Sequence, residues 1–490
     1  MGVIATRAVS AIHRFRRRAV TPRLTDPVWR AQAWLVAAAL GLAVFMIRVL
    51  GAAWPGQFKI FFPDSFSFIN AAKQTPFSPG FYAGERPIAF PALLFILGRS
   101  TVVTVVVQTF LNGAAYLLAA ATAVRLLRHD EARIVCAFLV ITIGIEPRFA
   151  LWNTHILSES FGMTLAVASV LSWWRFSAQP SRPRLHVAGA CTVAWLTVRD
   201  SNVPPWLAVG VPALFIASYL WRSADPALRK TLRRWAVATL VVCIGVALAQ
   251  SANGRNRYAT MNNIGLRVLP DPELTGWFKD RGMPLDDALR QRTGFSSFDN
   301  NWDMLTSPDL APFRAWADGS GQREMLISYI RFAPRWIGAL DDDLPVLLQT
   351  DQSGYDAFGV AKRLPDPPPA QIGGPTTIAG LLVWTAISVV GLVLASRRRR
   401  VQSIVLGLLL ASTFVDLYVS YVGDSVEIQR HLVGPLARMA LIMVLCLGVG
   451  IDAASEFARV RRSRPDDAIT VAAQISVQTA AESALEPTGS

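Results

Sequence analysis

Cysteine and histidine are scarce in this chain of 490 residues, at four and five, and acids are outnumbered by bases, 34 against 48. All four cysteines, Cys136, Cys191, Cys243 and Cys446, fall inside apolar runs, which leaves no disulfide framework and no zinc motif to read. Charge as a whole is low, 17% of residues against 52% hydrophobic, and the mean hydropathy of +0.36 excludes an ordinary soluble protein. The sequence lacks a P-loop, a Gly-x-Ser-x-Gly elbow and a His-Glu-x-x-His helix, so active sites of those three designs are not encoded. The centres of the apolar runs also lack the chain of acids and bases, and the repeated Gly/Pro interruptions, of an ion-coupled transporter.

What the chain does have is long hydrophobic runs flanked by arginine clusters. These lie at residues 14–18, 125–133, 175–184, 222–234, 397–400 and 459–464. The net charge of +14 does not call for nucleic acid, because the bases sit in short loops beside apolar runs, where anionic lipid is the simpler partner. Lys and Arg collect in cytoplasmic loops, so an even number of crossings separates any two of these clusters. Ten spans satisfy that parity: about 31–51, 102–124, 132–146, 157–174, 185–198, 204–221, 235–251, 376–395, 401–420 and 432–451.

The fold class expected is an all-α polytopic membrane protein of about ten transmembrane helices with a large extracytoplasmic loop domain of mixed or irregular structure. A basic cytoplasmic N-terminus (1–30) precedes a bundle of about seven helices (31–251) whose first extracytoplasmic loop is 53–101. The loop domain (252–375), three C-terminal spans (376–451) and a disordered cytoplasmic tail (452–490) follow. Both termini are then cytoplasmic, in a cell membrane.

Three segments need separate treatment. The run 31–50 is longer than a signal-peptide core and has no clean cleavage site, so it reads as a first span. The run 88–97 is about half the length needed to cross and carries Pro91, which makes it an interfacial or half-inserted helix. Residues 323–336 are amphipathic and suit a helix on the membrane surface.

The face opposite the arginine clusters holds a short list of ionisable residues. Asp64 sits among aromatics in Phe61-Phe62-Pro63-Asp64-Ser65-Phe66-Ser67-Phe68, where desolvation raises a carboxylate's proton affinity unless a cation balances it. A general base and a helix cap both fit that position. At the outer ends of other segments lie Arg86; Glu146, Arg148, His155 and Glu159; Arg199 and Asp200; and Asp424, Glu427, Arg430 and His431. Charges gather wherever helices meet water, so the set carries more information than its members. Asp416 lies within a span, and either a functional role or an interhelical bond accounts for it; Arg48 is one candidate partner.

The layout resembles the GT-C superfamily of membrane glycosyltransferases, the group that includes protein mannosyltransferases. Asp64-Ser65-Phe66-Ser67-Phe68 is similar to the acid-bearing first loop of such enzymes, and Arg86-Pro87-Ile88-Ala89-Phe90-Pro91 to the arginine, aromatic and proline stretch that follows. His155-Ile156-Leu157-Ser158-Glu159-Ser160 is similar to their span-opening Ser-Glu, and Thr197-Val198-Arg199-Asp200 stands where they commonly carry an arginine. Asp64 has no adjacent acid, which departs from several members.

The resemblance implies a polyprenyl-phosphate sugar lipid as donor and an extracytoplasmic glycan, lipid or protein as acceptor. Asp64 would be the base, and Arg86, His155, Glu159, Arg199, Asp200, Asp416, Arg430 and His431 would bind substrate or lipid phosphate. The expected chemistry is inverting transfer of a hexosyl or pentosyl group in envelope glycan or glycoconjugate synthesis. No cofactor is called for, and a divalent metal stays open. A polysaccharide polymerase or ligase using diphosphate-linked glycans, or a lipid-linked-sugar transporter or flippase, are the competing functions.

Overall fold

A computed structural model of the chain describes residues 63–82, 84, 86–221, 225–348, 374–426 and 428–483, with residues 36, 39, 40 and 43. Nearly all of the expected first span, together with Arg48, Glu427 and residues 349–373, therefore lies outside the described residues. Every regular element among the described residues is a helix.

The helices that build the molecule are α1 (Pro63–Lys73), α2 (Ala89–Ile96), α3 (Thr101–Leu126), α4 (Asp130–Ile145), α5 (Ser158–Ala178) and α6 (Arg182–Leu196). After them come α7 (Asp200–Leu220), which changes winding within its length, α8 (Pro226–Ala252) and α9 (Arg255–Asn263). α10 (Gln322–Arg331), α11 (Ala333–Leu348), α12 (Ile378–Ser396), α13 (Arg400–Gly423) and α14 (Ile428–Ser483) complete the set.

Six of the expected spans have helices long and apolar enough to cross a membrane: α3, α7, α8, α12, α13 and the stretch Ile428–Arg459 of α14. The other described segments fall short for physical reasons. α6 has 15 residues, which at ~1.5 Å per residue reach only ~22 Å of a ~30 Å hydrocarbon core. α4 meets the length only together with Arg148–Thr154, across a bend of 51°. α5 is long enough, but Ser158, Glu159, Ser160, Ser169 and Ser172 dilute its apolar surface.

α14 is the centre of the bundle. It packs on α4, α5, α12 and α13, and 89% of its apolar window is buried. α5 is the second hub, touching α3, α6, α13 and α14. Its polar side chains face neighbours rather than lipid, where each needs a partner: Ser169 and Thr192 lie 3.1 Å apart, and the Trp173 indole donates to Thr192 Oγ1 at 2.9 Å. α12 and α14 approach backbone to backbone at Gly391 and Gly450. A Cβ on Gly450 would stand 2.5 Å from the Gly391 Cα, so only glycine fits that crossing.

Ion pairs join helix ends into two separate sets. At one end of the bundle, Asp452 accepts from the Arg128 and His129 backbone N–H groups at 2.8 and 2.7 Å, from His129 Nδ1 at 2.9 Å, and from Arg399. The other set gathers the end of α4 and the starts of α1, α5, α7, α9 and α14.

Two expectations differ from the structure. The segment 252–375, expected to be mixed or irregular, is helical through most of its described part, with a small core of Phe278, Phe313 and Trp316. The tail, expected to be disordered, continues α14 to Ser483, as its alanine-rich composition permits. The half-helix expected at 88–97 is α2; its Phe90 meets Phe68 of α1 edge to face at 5.2 Å. The amphipathic stretch 323–336 is broken after Arg331 into α10 and α11, with Leu326 and Ile330 exposed and Trp336 buried.

Candidate functional site

Four helices begin near one point. Asp64 lies in the first turn of α1, one residue inside the helix rather than at the cap position before it; Glu159 is the second residue of α5; Arg430 is the third of α14; and Arg199 caps the start of α7. Helix N-termini carry partial positive charge and unpaired N–H groups, so this is a favourable place for carboxylates and for an anionic ligand.

Arg430 ties the group together. Its Nε donates to Glu159 Oε1 at 2.6 Å and its Nη2 to Asp64 Oδ2 at 2.7 Å. Arg86 takes the other Asp64 oxygen, donates from Nε to Ser67 Oγ at 2.5 Å, and lies over the Phe68 ring. Arg199 Nη2 stands 3.7 Å from Glu159 Oε1 and donates to His431 Nδ1 at 3.0 Å. An arginine has only donors, so Nδ1 must accept, and the imidazole is neutral in this arrangement.

Burial grades across the group: the Glu159 and Arg430 side chains are 0% and 5% exposed, whereas Asp64 and Arg86 keep 30% and 25%. The group is thus sealed at α5 and α14 and opens toward the first loop. Burial pushes the Asp64 carboxyl up, but Arg430 and Arg86 outweigh it and hold it at about 2, below the ordinary 3.8. The desolvation expected from its aromatic surroundings is therefore balanced by cations, and Asp64 is a weaker proton acceptor than its sequence context implies.

The remaining expected residues have other places. Asp416 pairs with Arg438 at 3.0 Å deep between α13 and α14. Arg438 also donates to Ser412 O and lies over the Trp195 ring. Arg48, a candidate partner for Asp416, lies outside the described residues. A narrow cavity lined by Glu159, Arg199, Asp416 and Arg438 links this pair to the floor of the main group. Asp200 pairs with Arg255 at 2.9 Å. The His155 ring lies against Trp152 at 4.9 Å, and its backbone oxygen accepts from Gln108 Nε2 of α3 at 2.7 Å. Glu146 pairs with Arg148, whose Nη1 also donates to Leu348 O at 2.7 Å.

Reading the sequence alone missed Arg438, Arg255 and Ser67. The first was discoverable: Arg438 is an uncompensated charge inside the last span, and such residues have partners. Among the described residues, no group of three His, Cys, Asp or Glu side chains stands as a metal set.

No known protein family and no curated protein matches this chain. Among solved structures, it is similar to the archaeal oligosaccharyltransferase AglB from Archaeoglobus fulgidus, solved in complex with an inhibitory peptide and a dolichol-phosphate. The identity is 12% and the TM-score 0.40, over 90% of this chain and 52% of that one. The chain spans about half of that protein's length, and a likeness this loose carries no argument about activity.

Proposed function

We propose that this protein is an integral membrane glycosyltransferase that moves a sugar from a polyprenyl-phosphate donor to an extracytoplasmic glycan, lipid or protein acceptor. The observation that carries the reading is Arg430 bridging Asp64 and Glu159 beside Arg86 and Arg199. Among the described residues, three guanidiniums face two carboxylates, which gives one positive charge in surplus at a place that opens toward the first loop. A sugar phosphodiester carries one negative charge and lies at the membrane surface, so it complements that surplus in sign and location.

During transfer, the acceptor oxygen attacks the anomeric carbon, and the bond from that carbon to the phosphate oxygen breaks with inversion. Charge then grows on the departing phosphate. Guanidiniums already fixed by carboxylates stabilise that charge without having to reorganise. Asp64 and Glu159 act here as anchors for the arginines. For Asp64 this revises the role of base expected from the sequence, since both its oxygens are engaged.

The test is purified protein in proteoliposomes with polyprenyl-phosphate sugar and a hydroxyl acceptor. Release of polyprenyl monophosphate with sugar transfer is expected, and Arg430→Gln is expected to cut the rate by about 100-fold or more. Release of a polyprenyl diphosphate from a diphosphate-linked glycan would instead indicate the polymerase or ligase. Movement of labelled lipid across the bilayer with no bond cleavage would indicate the transporter.

A further inference from the structure

With Asp64 held as an anchor, the transfer lacks a proton acceptor, and the connection between α13 and α14 holds a carboxylate built differently. Asp424 follows the last residue of α13, and its backbone is extended at φ −148° and ψ 133°. It lies outside both flanking spans and is half-buried. Asn262 Nδ2 donates to Asp424 Oδ1 at 2.9 Å, and the Val426 N–H donates to the same oxygen at 3.0 Å.

Asn262 is itself fixed. It is 0% exposed, and its Oδ1 accepts from the Ser297 N–H at 2.8 Å, so only its NH2 is left to face Asp424. The second carboxylate oxygen, Oδ2, accepts from no described residue, and among the described residues Asp424 has no ion pair. The charged and titratable groups around it are Arg430 from α14, Arg267 beyond α9 and Tyr329 from α10. Arg267 is occupied elsewhere, donating to Tyr421 O at 2.9 Å and lying over the Tyr421 ring. Tyr329 accepts from Asn263 Nδ2 at 3.0 Å. Burial raises the proton affinity of Asp424 above the ordinary carboxyl value, and its hydrogen bonds and the two arginines do not reverse this.

Asp64 and Asp424 thus divide the work of two carboxylates: one is neutralised on both oxygens, the other is clamped on one and free on the other. Pairs of acids whose surroundings push them apart in this way mark acid–base assignments. Asp424 directly follows α13, and Arg430 and His431, six and seven residues on, lie in the first turn of α14, so the carboxylate and the phosphate-facing cation flank the same connection.

We infer that Asp424 is the general base of the transfer proposed above, accepting on Oδ2 the proton of the attacking acceptor hydroxyl. The assignment rests on that functional reading. As the acceptor oxygen bonds to the anomeric carbon, its hydrogen passes to Asp424 Oδ2, and the electron pair of the breaking carbon–oxygen bond leaves with the polyprenyl phosphate. Asp424 then returns the proton to water. Asn262 is a positioning residue that keeps Oδ2 turned outward.

Asp424→Asn is a clean test, because its side-chain oxygen keeps both clamping bonds and only Oδ2 is lost. The variant and wild type are compared in the proteoliposome assay with two acceptors, an alcohol and an analogue bearing a thiol ionised at the assay pH. Loss of alcohol transfer by about 100-fold or more, with thiol transfer within a few-fold of wild type, is the expected result. The wild-type rate with the alcohol falls as Asp424 takes up a proton in acid, and that acid limb should vanish from the residual activity of Asp424→Asn. Asp424→Glu should retain part of the alcohol rate that Asp424→Asn loses. Equal losses with both acceptors, or alcohol transfer close to wild type, would overturn the assignment of Asp424 and leave the glycosyltransferase reading in place. Wild-type protein that releases no polyprenyl phosphate would instead remove the reading itself, and the assignment with it.

Discussion

Asp64 divides its oxygens between Arg86 and Arg430, and its electrostatics follow from that division. Its folded-state value of about 2 lies below the ordinary 3.8, so the stabilisation from these pairs is fully present above 3.8 and is lost as pH falls from there toward 2. Thermal unfolding of detergent-solubilised wild type and Asp64→Asn is therefore expected to differ at neutral pH and to converge in strong acid. A gap that persists at the lowest pH would show that the substitution acts through something other than these pairs. Asp64→Asn should also lower transfer chiefly by loosening Arg430, so donor KM should rise along with the fall in kcat.

At this scale the sequence was informative about which residues matter and less so about their roles. Asp64, Arg86, Glu159, Arg199, Arg430 and His431 were selected as ends of segments on one face, and the structure places all six together. Their pairing was not legible, because Arg430 meets Asp64 and Glu159 across 366 and 271 positions of chain. Without that pairing, a lone acid among aromatics reads as a base. His155, selected with Glu159 from one segment, has its ring against Trp152.

Among elements, α14 and α12 are set by their closest approach. The Gly391 and Gly450 backbones leave no space for a β-carbon, and neither can yield as a flexible side chain would. Gly450→Val is expected to push the two helices apart and to lower the melting temperature by several degrees, whereas Gly245→Ala, where nothing lies within 4 Å of an added Cβ, should have little effect. Comparable losses from both would argue against the crossing as the cause. The spans legible in the sequence were those made of nearly continuous apolar residues, such as α12. α5 and α6 are harder to read because they face protein on several sides; burial then replaces lipid contact, and polar residues such as Thr192 are tolerated.

At the scale of the whole molecule, the arginine clusters are expected on one side of the membrane. Cysteines introduced at Arg128 and Ser320, both exposed, are expected to label from opposite sides of the membrane in cells, with position 128 protected from an impermeant reagent and position 320 open to it. Labelling of both from the same side would refute the topology. The arginine clusters carry this expectation in the sequence, because the charge bias acts on loops directly. The helical build of residues 255–348 was not visible, since its helices are short and its core small.

One helix connects the two ends. Arg430 and Asp452 sit twenty-two residues apart on α14, ~33 Å at ~1.5 Å per residue, close to the ~30 Å of a bilayer's hydrocarbon core. Asp452 is pinned by His129 and Arg399, and Arg430 by Asp64 and Glu159. A bilayer thinner or thicker than that span is expected to tilt the central helix or strain a clasp at one end. Varying lipid chain length with the headgroup unchanged is therefore expected to alter how firmly Arg430 holds its two carboxylates, read as a shift in melting temperature in liposomes.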